Sequence, residues 1–176
     1  MKIKKSKQIT QQLSKNKKFW IISAAVAVAT GIWLIISTMF GEPLTSSEAA
    51  GIFVWLAKLS EFVFPAIAAA VGAFFISKKS TNQQDSIFYP TLGATAIGIL
   101  ISAYLIFSFF ATTAEEWQVG ALDFQYSTGV EYTANQFMFI SGMTILPEII
   151  KILLSYFALG VIGSILGRKF AQKFPK

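Results

Sequence analysis

A chain of 176 residues that is 54% apolar, carries a formal net charge of +6 and contains neither cysteine nor histidine is short for more than one domain and too apolar for an average soluble protein. The missing residue types exclude a disulfide framework, a thiolate nucleophile and an iron–sulfur site, and they remove the commonest haem, zinc and copper ligand; no cofactor and no metal are expected. An integral membrane protein is the first expectation, because four stretches approach or exceed the roughly 20 helical residues that cross a hydrocarbon core.

In chain order, residues 1–18 form a lysine-rich arm in which Ile9 and Leu13 can make a weak amphipathic turn on a membrane surface or simply stand in solvent. The first span is Phe19 to Phe40, longer than the roughly 7 to 15 apolar residues of a secretory signal core, so it is read as retained rather than cleaved near Ser46 to Ala50. Gly41 and Pro43 stop it. Thr45 and Glu48 then have capping-box spacing and predict a second helix to about Ser77, with its span at 51–76. A third span covers 91–113, and an outer loop fills 114–136. Thr133 and Gln136 repeat the capping-box spacing before the fourth span at 137–166, and a basic tail occupies 167–176. The expected fold is all-α, an integral membrane four-helix bundle with four transmembrane helices. Its second and fourth helices, at about 48 Å, are longer than the hydrocarbon is thick and are expected to project outward.

Apart from Lys58 and Lys151, all of the 15 basic residues lie in three segments: before the first span, at Lys78 and Lys79, and from Arg168 onward. These segments share one side, which the positive-inside rule makes the cytoplasm; both termini are therefore expected to be cytoplasmic, in a multi-pass protein of the cell membrane. The two outer loops hold acids only: Glu42, Glu48, Glu115, Glu116, Asp123 and Glu131. Basic residues that bracket spans are explained by insertion and by anionic lipids at the cytoplasmic face, so nucleic acid is not an expected partner.

Lys58 and Glu61 share a face of the second helix, and Glu148 and Lys151 a face of the fourth. Because the charge order is reversed between two helices running the same way, Lys58 comes level with Glu148 and Glu61 with Lys151, near the outer part of the membrane. Three readings stay open. Two reciprocal interhelical pairs avoid solitary charge in lipid. Each helix can instead pair its own charges at i and i+3, with the heads reaching toward water. The glutamates can also handle an ion. Small residues at helix-packing spacing, among them Ala68 and Gly72 or Gly160, Ser164 and Gly167, predict close helix contacts. In the fourth helix the small stripe points away from the charged one, which allows partners on two faces.

In the outer loop, Phe124, Tyr126, Val130 and Tyr132 alternate around a Ser-Thr-Gly turn and allow a short hairpin. Trp117, Phe124, Tyr126 and Tyr132 are the candidate contact surface, since tyrosine and tryptophan supply binding hot spots. The loop acids lack the spacing of a calcium loop. With no Walker loop, no zinc helix motif and no histidine base, an enzyme is not expected; Lys151 and Ser155 have dyad spacing, but a membrane serine usually hydrogen-bonds its own or a neighbouring helix. The expected function is that of an accessory, assembly or regulatory subunit that contacts other membrane proteins. The alternative is a homo-oligomeric channel or ion-coupled carrier using the Glu/Lys pairs.

Overall fold

The computed structural model describes the backbone of residues 2–41, 48–80 and 82–174, and the side chains of 17–37, 58–61, 63–80 and 82–174. Five helices account for nearly all of it: α1 (Lys2–Gly41), α2 (Glu48–Ser77), α3 (Gln83–Ala111), α4 (Ala114–Thr128) and α5 (Ala134–Lys173). There is no strand among the described residues. Four segments are long and apolar enough to cross a membrane: Lys17–Ser37, Lys58–Ser77, Gln83–Ala111 and Ala134–Lys173.

Helix starts follow local hydrogen bonding. The Thr133 box is formed: its amide donates to Gln136 Oε1 at 3.0 Å, and the Gln136 amide donates back to Thr133 Oγ1 at 3.3 Å. The Thr45 box lies outside the described residues, as does Pro43, and α1 is described as far as Gly41. The basic arm from Lys2 is continuous with α1 as helix. The third helix begins well before the predicted span, because Asn82 Oδ1 accepts the Gln84 amide at 3.1 Å and Pro90 is accommodated inside the helix.

The largest departure is in the predicted outer loop, where residues 114–128 are helical and no hairpin forms. Thr113 is an N-cap with a complete capping box: the Glu116 amide donates to its Oγ1 at 3.3 Å, and its own amide donates to Glu116 Oε2 at 2.7 Å. Gly129 closes α4 in the left-handed conformation, φ 73°, with its amide donating to the Gln125 carbonyl at 2.8 Å. Alternation at two residues on either side of this glycine is too short to compete with four turns of helix. Thr113 and Glu116 have the same spacing as the two boxes read from the sequence, so the signal was present there.

The helices fall into two compact units, residues 1–98 with 155–176, and residues 99–154; α3 and α5 contribute to both. In the first unit, the helices meet both through aromatic rings and through small residues. Trp33 of α1 stacks on Phe64 of α2 with ring centroids 4.7 Å apart. Phe19 of α1 lies 5.5 Å from the Tyr89 ring of α3, and Gly93 of α3 faces the Ser23 carbonyl. Thr91 of α3 and Ser164 of α5 share a buried hydroxyl contact of 3.2 Å. Gly163 and Gly167 of α5 abut the carbonyls of Ala66 and Ala70 of α2, leaving no room for a Cβ. The small stripe of α5 is thus consumed inside this unit.

The core holds Phe19, Val26 and Ile76 but shares its space with hydroxyl residues, and much apolar bulk lies outside it. Buried positions include Ser23, Thr30, Ser37, Thr91 and Ser164, whereas Leu100, Phe107 and Phe110 are on the surface. Lipid removes the penalty for exposed apolar bulk and leaves close backbone packing and hydroxyl bonding to hold helices together.

Candidate functional site

Two sets of charge on apolar helices are the chemically unusual features of the chain, and their surroundings differ. Glu61, on α2, is half-buried. Ser37 of α1, 1% exposed, donates to the Leu34 carbonyl at 2.9 Å and to Glu61 Oε1 at 3.1 Å, so one hydroxyl proton is shared between two acceptors. One residue before Glu61, Ser60 accepts the Trp33 indole N–H at 3.1 Å. Tyr156 of α5 lies within electrostatic reach of Glu61. Lys58, a turn earlier on α2, is exposed. The heptad spacing of Ser23, Thr30 and Ser37, all buried, was the sequence signal for this hydroxyl seam, and Ser37 was not read as a partner of Glu61.

Glu148 and Lys151 come together in the same helix. Lys151 Nζ lies 3.4 Å from Glu148 Oε2, an i,i+3 ion pair with side chains 68% exposed for lysine and 56% for glutamate. Leu146, Ile150 and Leu154 are exposed around it. The local pair open in the sequence is therefore present on α5. Along α5, Lys151 precedes Arg168 by 17 residues and Glu148 by 20, or about 26 and 30 Å at 1.5 Å per residue. If Arg168 marks one edge of the hydrocarbon, the pair stands near the other.

The predicted aromatic contact surface divides in the second unit. Trp117 packs 5.3 Å from Phe109 and 6.1 Å from Phe137; Phe124 packs 5.7 Å from Phe137 and 5.6 Å from Tyr132. Gly120 permits this, because a Cβ there would sit 2.8 Å from the Phe137 ring. These rings hold α4 onto the ends of α3 and α5, which leaves Tyr126, 88% exposed, as the member of the set that is free to touch another molecule. Val119 and Leu122 join it on the same outward face, at i, i+3 and i+7, and are 54% and 48% exposed. Reading residues 114–136 as a loop concealed that face.

Glu116 is held below its ordinary carboxylate range by the Thr113 amide and hydroxyl, which hydrogen-bond its charged form. No cluster of three His, Cys, Asp or Glu capable of holding a metal occurs among the described residues. Comparison with protein-family models, with characterised proteins and with solved structures found no match.

Proposed function

We propose that this chain is a multi-pass protein of the cell membrane, a non-catalytic four-helix bundle with both termini cytoplasmic, that acts as an accessory, assembly or regulatory subunit through contacts with other membrane proteins. The orientation rests on Lys17, Lys18, Lys78, Lys79, Arg168 and Lys169, which flank the spans on one side and favour anionic lipid there.

The observation that carries the reading is the Glu148–Lys151 pair, more than half exposed on a helix apolar enough to cross a membrane. Charge near the hydrocarbon edge of a membrane-crossing helix is directed to a protein interior, another protein or the water and headgroups beyond that edge. The small stripe of α5 is already spent on Ala66, Ala70 and Thr91, so the charged stripe is the polar face this helix has left to offer. Purification from native membranes in a mild detergent, after amine crosslinking in place, tests this. A stoichiometric foreign membrane protein linked through Lys151 supports the reading, and a clean monomer in every detergent removes it.

One observation favours a second reading, the oligomeric channel or ion-coupled carrier: Glu61 accepts from the Ser37 hydroxyl, and no ion pair to it occurs among the described residues. A carboxylate so placed can take a proton or a metal cation from a pathway between subunits. Transport unaffected by both Glu61→Gln and Glu148→Gln excludes it.

A further inference from the structure

We propose that the outward face of α4, formed by Val119, Leu122 and Tyr126 and edged by Glu115 and Asp123, docks a basic amphipathic segment of another membrane protein. This rests on the accessory reading above and names its partner by chemistry.

The face combines two features that separately would carry little. Three apolar side chains project from one side of an extramembrane helix whose opposite side is packed through the Trp117 and Phe124 rings, so the backbone that carries the face is held in place before anything binds. A helix already ordered adds no backbone-ordering cost on binding, and aromatic residues supply binding hot spots.

The second feature is sign. No lysine or arginine occurs between Lys79 and Lys151, while Glu115, Glu116, Asp123 and Glu131 are all exposed. Beside Leu122 a groove of about 550 Å³ runs between α4 and the start of α5, lined by Gln118, Gln125, Glu131, Thr133 and Gln136. The Gln136 oxygen is taken by Thr133, but the Gln118 and Gln125 carboxamide oxygens and the single carboxylate suit a guanidinium, which offers donors in a fork and no acceptor.

Complementarity also argues against the competing occupants. A second copy would bring the same acids and no basic residue to this face, and like charges brought together oppose association. Anionic headgroups are repelled for the same reason. A cationic helix with an apolar stripe satisfies both the ridge and its acidic edges.

The test uses the full chain in nanodiscs of zwitterionic phosphatidylcholine, probed with a synthetic amphipathic helix of leucine, alanine and arginine. Its counterpart carries glutamate at each arginine, and empty discs correct for lipid binding. The arginine peptide is expected to bind and the glutamate peptide to fail. Leu122→Ser with Tyr126→Ser, and separately Asp123→Asn with Glu115→Gln, should each weaken binding about tenfold, equivalent to about 1.4 kcal/mol. Unchanged helicity in each variant confirms that the fold is intact.

Equal binding by both peptides, equal binding to empty discs, or variants that bind like the native chain overturns the proposal. Changed self-association in the Leu122 variant, without loss of peptide binding, assigns the face to a second copy instead. If a foreign partner co-purifies equally well with the Leu122→Ser, Tyr126→Ser variant, the α4 proposal falls while the accessory reading stands. Absence of any foreign partner removes both.

Discussion

Gly163 of α5 meets the carbonyl of Ala66 of α2 with no space between them for a methyl group. Relief requires the two backbones to separate, because the obstruction is main chain and not the end of a mobile side chain. Gly163→Ala should therefore destabilise the fold by about 1 to 3 kcal/mol, as overpacking does. Gly31 has a different neighbour, the terminal methyl of Ile97 at 3.3 Å, which can turn aside. Gly31→Ala should be neutral or stabilising by up to about 1 kcal/mol through helix propensity. Thermal unfolding of the two variants in the same detergent checks the difference in sign.

The Ser37 hydroxyl joins α1 to α2 through Glu61. Ser37→Ala removes that link from a buried position and should cost about 1 to 3 kcal/mol, the usual range for leaving a partner unsatisfied. Glu61→Gln keeps an acceptor oxygen in place and should cost less. Steric trapping or denaturant unfolding in micelles distinguishes the two.

At the start of α4, Thr113→Ala should fray the helix by about 1 kcal/mol, the typical value of an N-cap. The capping carboxylate also predicts a pH dependence. The Glu116 pKa is lowered in the folded chain, so its contribution is fully present above its ordinary value of 4.5 and is lost as pH falls through the lower folded value. Amide protection at residues 113–117, corrected for the intrinsic slowing of exchange in acid, should fall in that window, and Glu116→Gln should flatten the fall.

Much of this fold was legible in the residues because lipid imposes a simple rule: helices of sufficient length, with small and hydroxyl residues where backbones meet. Ala68, Gly72, Gly160, Ser164 and Gly167 were recognisable by spacing and are buried. The second unit was less legible. Thr113 and Glu116 follow an apolar run directly, so their capping role was masked by treating the run as continuing to Thr113, and the aromatics after them suggested alternation. Their true period is helical, which turns Trp117 and Phe124 inward and Val119, Leu122 and Tyr126 outward. The seven-residue spacing of Ser23, Thr30 and Ser37 marks a hydroxyl seam, but spacing within one helix does not tell which residue of another helix it meets, so the Ser37–Glu61 contact was illegible.

Cysteine is absent from the native chain, which gives a clean background for topology mapping. Single cysteines replacing Gln83 and Gln118, both exposed, should label from opposite sides of the membrane, Gln83 from the cytoplasm after permeabilisation and Gln118 from outside intact cells. Labelling of both from the same side contradicts the orientation.

The central claim is that the charged stripe of α5 is covered by another protein in the native membrane. Thr144, exposed and one helical turn from Glu148 on the same face, can report this without disturbing the ion pair. The most direct measurement compares the rate at which Thr144→Cys reacts with a membrane-impermeant maleimide in native membranes and in nanodiscs holding the purified chain. The account predicts protection in the native membrane and rapid labelling in nanodiscs; equal rates in the two would contradict it.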